Sequence, residues 1–312
     1  MTTSNALADL YRRWSDETVA LAGGRLSPIT LTRYQNASWI DLADESAGVH
    51  YRDIDVDGLH GLSARPDDAP RGPVILYFHG GGYLGGSSGA TRKLTGHLAA
   101  AAGTSLLSID YRLAPEHPFP AQLDDAVTAW NWLVSHDYHP AEQVVLAGDS
   151  AGGLLATVLA QYLRDKGLGR PAAVVAFSPF YDIDGHSSTY DENQGRDLLA
   201  TRAAAQALLP LIAGGADEPY LTALSGGAHD LPPMYLAFGA DEALLGGGRE
   251  FKEQADAAGT DVELDVYAGQ QHVFQYMAGR DIAADTSIAR AGEFVRRALP
   301  AVTPEIDAED KS

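Results

Sequence analysis

The chain has 312 residues, 45% of them hydrophobic and 21% charged, which fits one large α/β domain or two small ones with a sizeable buried core. Its formal net charge is −20, and Lys93, Lys166, Lys252 and Lys311 are its lysines, so the surface repels phosphate backbones and anionic lipid, and neither nucleic acid nor membrane is an expected partner. With no cysteine there is no disulfide, thiol nucleophile or thiolate metal site, and with no basic-then-apolar start and no span-length apolar run the default expectation is a soluble cytoplasmic protein.

Leu7, Leu10, Tyr11, Trp14 and Leu21 fall on one helical face after the cap candidate Ser4, which predicts an amphipathic helix covering part of the main body. The alternating stretch from Gly48 meets Asp57-Gly58, a hairpin dipeptide, and a second short run follows to Ala64, so two antiparallel strands are expected at a sheet edge. Val74 to Phe78 is continuously apolar, as a strand buried on both faces requires. It ends in His79-Gly80-Gly81-Gly82-Tyr83, where successive residues without side chains let backbone N–H groups approach a ligand. A helix at 90–102, a strand at 105–111, a helix at 121–135, a strand at 143–147, a helix at 152–165 and a strand at 172–178 then alternate, which implies right-handed crossovers and a mostly parallel sheet. The polar stretch 182–200 is too long for an ordinary connection, and with the helix expected at 201–212 it reads as an inserted cap. Strands at 234–238 and 262–267 with a helix at 247–258 between them, a final amphipathic helix through Ile288, Ala291, Val295 and Leu299, and an acidic tail from Pro304 complete the order. A single domain over 1–312 is expected, with its cap drawn from about 1–45 and 182–215.

Gly148-Asp149-Ser150-Ala151-Gly152 stands between the apolar run Val144 to Ala147 and a Leu- and Ala-rich helical run. That is strand, sharp turn and helix, the context in which G-x-S-x-G holds a serine exposed and strained as a nucleophile. Gly85-Gly86-Ser87-Ser88-Gly89 matches the same pattern but follows a glycine loop, so Ser150 is the expected nucleophile. Three histidines follow it. His186 sits in the expected cap and His229 precedes a strand, whereas His272 follows the last strand at the correct sheet edge and is the expected base. The strand ending at Phe238 puts Asp241 at its carboxyl end as the expected acid, with the adjacent Glu242 as the alternative, since neighbouring side chains point differently and one can reach. His136-Asp-Tyr-His139 lacks a carboxylate cluster and reads as a solvated helix end, so no metal and no cofactor are expected.

His79-Gly-Gly-Gly82, Tyr111-Arg-Leu-Ala-Pro-Glu-His-Pro-Phe-Pro-Ala121, Gly148-Asp-Ser-Ala-Gly-Gly153, Gly239-Ala-Asp-Glu242 and Gly269-Gln-Gln-His-Val-Phe274 together resemble the bacterial hormone-sensitive-lipase family of serine esterases, also called family IV. The likeness runs from about Val74 to the end of the chain. It implies a capped α/β-hydrolase fold and an oxyanion hole of the N–H groups of Gly81, Gly82 and Ala151, with the Tyr111–Ala121 run bracing the oxyanion loop. Gly246-Gly-Gly248 departs from the acidic residues common there, and Pro219-Tyr-Leu-Thr-Ala-Leu224 lacks a usual Ser-Pro; both bear on substrate preference more than on chemistry. The expected function is a carboxylesterase acting on short-chain acyl esters, with a small-molecule ester as partner and a homodimer allowed. A lactonase or amidase on the same triad is the close alternative, and a non-catalytic small-molecule-binding protein of this fold the remote one.

Overall fold

The computed structural model describes residues 6–21, 28–136, 139–214 and 218–300. Helices α1 (Ala6–Leu21) and α2 (Pro28–Ala37) precede a hairpin of β1 (Val49–Val56) and β2 (Leu59–Pro66). Asp57 and Gly58 both take positive φ, 51° and 88°, so the Asp-Gly turn forms where the dipeptide predicts it. Then come β3 (Val74–Phe78), α3 (Arg92–Ala102), β4 (Ser105–Ile109), α4 (Ala121–Asn131), β5 (Val144–Asp149), α5 (Ala151–Lys166) and β6 (Ala173–Phe177). After an excursion carrying α6 (Thr189–Glu192) and α7 (Arg202–Ala213), the chain returns as β7 (Met234–Gly239), α8 (Leu245–Ala258), β8 (Val262–Tyr267) and α9 (Ile282–Ala298). The expected cap residue Ser4 and the tail from Pro304 lie outside the described residues, as does the side chain of Leu21.

Eight strands form one sheet in the order β1-β2-β4-β3-β5-β6-β7-β8. The first two pairings are antiparallel and the rest parallel, so the predicted hairpin is the sheet edge and the βαβ alternation builds its body. Along β3, Val74, Leu76 and Phe78 face one apolar cluster while Ile75 and Tyr77 face the other. The first cluster also takes Trp130 of α4, Leu155 of α5 and Phe251 of α8; the second takes Leu98 of α3 and Ile288 and Phe294 of α9. A strand buried on both faces is apolar along its length, which is why β3, β6 and β7 read as unbroken runs. Leu7, Leu10, Tyr11 and Trp14 of α1 join the second cluster, as the helical face predicted. No helix among the described residues is long and apolar enough to cross a membrane.

Candidate active site

Ser150 is the single residue between β5 and α5, with φ 52° and ψ −120°. This backbone is strained for a side-chain-bearing residue, and it turns the chain sharply from strand to helix at the carboxyl edge of the sheet. A Cβ on Gly148 would collide with the backbone of Gly152, and one on Gly152 with the carbonyl oxygen of Phe78, so the crossing passes only without side chains. Ser150 N–H donates to Phe177 O at 2.9 Å, tying the turn to the neighbouring strand. The Oγ of Ser87 accepts from Ala90 N–H at 3.1 Å in the turn that leads into α3.

His272 follows β8, as the topology predicts, and its Nε2 lies 2.9 Å from Ser150 Oγ. Its other nitrogen, Nδ1, lies 2.9 Å from Oε2 of Glu242. The expectation of Asp241 at this place is therefore corrected. The residue is one register off for a physical reason. Gly239 to Glu242 forms a tight turn, with Glu242 N–H donating to Gly239 O at 3.3 Å, so side chain 241 leaves the turn outward and side chain 242 returns beneath it. Asp241 instead pairs with Arg196, whereas the Glu242 side chain has no exposed area.

Glu242 Oε1 accepts from Ser178 Oγ at 2.7 Å and from the N–H of Gly239, so with His272 it faces three donors. Such a set fits an ionised carboxylate, which can only accept, and that places the proton on Nδ1 and leaves the Nε2 lone pair toward the serine. Burial leaves the Glu242 carboxyl above its ordinary value, although the hydrogen bond and charge of His272 and the hydrogen bonds of Ser178 and Gly239 oppose it. For His272, burial pulls the imidazole down, but the hydrogen bond and charge of Glu242, with the more distant charges of Asp197 and Asp149, leave it above its ordinary value.

Gly81 (φ 120°) and Gly82 (φ 63°) turn the loop that follows β3. Among the described residues, the structure records no acceptor for the N–H groups of Gly81, Gly82 and Ala151. The loop is fixed from beneath by Asp149, a buried carboxylate beside the serine. It accepts from Gly80 N–H at 3.0 Å, Tyr77 OH at 2.6 Å and Tyr276 OH at 2.7 Å. The Tyr111–Ala121 run braces it from the side: Tyr111 OH donates to His79 O at 2.6 Å, and its ring stacks on the His79 ring with centroids 4.2 Å apart. Within that run Ala114-Pro115 and Phe119-Pro120 are cis.

Residues 75–276 match the alpha/beta hydrolase fold family. An acetyl-hydrolase of Streptomyces hygroscopicus is 34% identical over 229 residues, 73% of this chain and 76% of that protein. Esterase LipU of Mycobacterium tuberculosis is 35% identical, over 75% of this chain and 80% of its own length. A crystal structure of an esterase from the bacterial hormone-sensitive lipase family superposes with a TM-score of 0.88 at 31% identity, covering 96% of this chain and all of the other. This chain belongs to the hormone-sensitive-lipase family of α/β-hydrolase esterases.

Several residues of this esterase that support the site carry no sequence signal for that role. Ser178, at the end of β6 with φ 48°, donates to Glu242 and accepts from Val273 N–H at 3.1 Å, joining the acid loop to the histidine loop. Tyr11 OH donates to the carbonyl of His272 at 2.9 Å. In the sequence these are a strand-end serine and a helix-face aromatic; no motif marks them. Among the described residues, one group of side chains could hold a cation: Asp182, Asp184 and His186. Both ring nitrogens of His186 already face carboxylates, Asp182 and Asp184 on one side and Glu250 of α8 on the other, which raises the imidazole to about 9. A protonated His186 thus satisfies the cluster without an ion. Asp137 and Tyr138, between the two histidines of the other candidate, lie outside the described residues.

Proposed function

We propose that this esterase hydrolyses short-chain acyl esters by acyl transfer, with Ser150 as nucleophile, His272 as base and Glu242 as acid. The observation that carries the reading is the continuous hydrogen-bonded line from Ser150 Oγ through both nitrogens of His272 to Glu242, 2.9 Å at each step. Neutral His272 takes the serine proton as Oγ attacks the ester carbonyl, and Glu242 stabilises the imidazolium that forms. The developing oxyanion is assigned to the N–H groups of Gly81, Gly82 and Ala151, with the amino end of α5 adding its dipole. Removing one such donor typically costs about 3 kcal/mol of transition-state stabilisation. The imidazolium then protonates the departing alcohol, and water, activated by the same base, releases the acid.

The acyl preference rests on the segments 1–45 and 182–215 acting as a cap over a body that together spans 1–312. In support, Leu208 Cδ1 of α7 lies 3.7 Å from where a Cβ on Gly82 would stand, which brings α7 over the oxyanion loop. Phe119 N–H also donates to Ile212 O at 2.9 Å, anchoring α7 on the bracing run. A pocket closed in this way suits acyl groups of about two to eight carbons, because each further buried CH₂ gains only about 0.8 kcal/mol while overpacking costs about 1–3. The test is kcat/KM over p-nitrophenyl esters from acetate to palmitate. A maximum among the short chains is expected; a maximum at the long ones, or a jump in rate when an emulsion forms, would make the protein a lipase instead.

A further inference from the structure

Residues 193–200, between α6 and α7, lie across both loops that carry the acid and the base. Asn193, 5% exposed, donates through Nδ2 to the carbonyls of Ala240 at 3.1 Å and Glu242 at 2.8 Å. Asp197, 6% exposed, accepts from Ala243 N–H at 2.7 Å on Oδ2 and from the N–H groups of Leu199 and Ala200 at 2.8 and 2.7 Å on Oδ1. Backbone groups before, at and after Glu242 are thus held by two buried side chains. Arg196, between them, takes Asp241. The residue before His272 reaches back the other way: Gln271 accepts from Leu198 N–H at 3.1 Å and donates to Arg196 O at 2.9 Å.

Aiming Glu242 at His272 depends on the turn that carries it, and a shift of about 1 Å in a catalytic group can cost roughly a hundredfold in rate. We propose that Asn193 and Asp197 are positioning residues for the reaction, locking the 240–243 turn so that the Glu242 carboxylate meets Nδ1 of His272. The excursion between β6 and β7 is then part of the catalytic frame as well as a cover. This rests on the triad reading above, so the experiment separates the two.

The experiment is a double-mutant cycle on kcat, KM and thermal midpoint, using p-nitrophenyl acetate or butyrate. Asn193→Asp keeps the side-chain size and turns a donor toward two carbonyls into an acceptor; Asp197→Ala removes the acceptor of three N–H groups. Each is expected to lower kcat about 10- to 100-fold with KM within about threefold. In a Glu242→Gln background the same substitutions should lower kcat less than about twofold, because the group they position is already lost. Should Asp197→Ala fail to fold, Asn193→Asp carries the cycle alone. Equal losses in both backgrounds, or wild-type kcat in Asn193→Asp, would overturn the inference. Full activity in Glu242→Gln by itself would overturn the triad reading, and the inference with it.

Discussion

Asp241 and Glu242 are adjacent carboxylates with opposite surroundings, and the difference can be measured. Asp241 is part-exposed on a guanidinium, and its loss removes a surface-side pair, worth at most about 1 kcal/mol at such sites. Asp241→Asn is accordingly expected to keep kcat within a few-fold. Glu242→Gln leaves the shape and removes the acceptor that fixes the imidazole tautomer, which in a serine triad costs about 10⁴ in kcat. The pH profile gives a second reading of the same residue. In the proposed mechanism His272 must be neutral to accept the serine proton, and although burial pulls its pKa down, Glu242, Asp197 and Asp149 hold it above the ordinary 6.5. So kcat/KM should rise with pH through an apparent pKa above 6.5, and in the residual activity of Glu242→Gln that pKa should move down, since the imidazolium has lost its nearest anion. An unmoved pKa would detach Glu242 from His272. The choice between the two carboxylates was not legible in the sequence, because turn register decides it and both residues satisfy the rule that the acid follows a strand end.

At the scale of elements, legibility followed periodicity. The alternation of apolar runs and helical stretches located β3 to β8 within a residue or two, because β3, β6 and β7, buried on both faces, are apolar along their length and the strands between and beside them fall into the same alternation with helices. Ser150 and His272 could be picked out as candidates for a related reason: each sits at the carboxyl end of a strand, so topology alone limits the choice. The ties that cross between elements were not readable, since Ser178, Asn193 and Asp197 meet the acid loop only after the excursion has folded back. Another such tie joins the start of the excursion to α8, where His186 stands between Asp182, Asp184 and Glu250. Its folded-state pKa of about 9 against an ordinary 6.5 means the imidazolium is favoured by folding. The tie therefore contributes in full below about pH 6.5 and is lost as pH rises through about 9. About half of the His186 side chain is in water, so the effect is small and screened by salt. The thermal midpoint of the wild type should fall between about pH 7 and 10 by more than that of His186→Gln, and the gap between the two should narrow in about 1 M salt. Parallel slopes would remove the tie from the account.

Across the whole molecule, the two ends of the chain share one buried region beside the site. Trp39 stacks on Tyr276 with ring centroids 4.8 Å apart, and Tyr11 of α1 bonds the backbone of His272 from 261 residues away. Tyr11→Phe leaves that buried carbonyl without a partner, which typically costs about 1–3 kcal/mol, and should lower the denaturant midpoint without changing its slope. An unchanged midpoint would mean that this hydrogen bond adds nothing to stability. That meeting of the ends also has a consequence in time. On the ribosome α1 is made long before the loop after β8, so Trp14 can meet Trp39 early while the Tyr11 hydroxyl waits for the carbonyl of His272. On the triad proposed above, Ser150 is made 122 residues before its base His272. Ester hydrolysis should therefore appear late in synthesis, and a nascent chain arrested before His272 leaves the exit tunnel should show none.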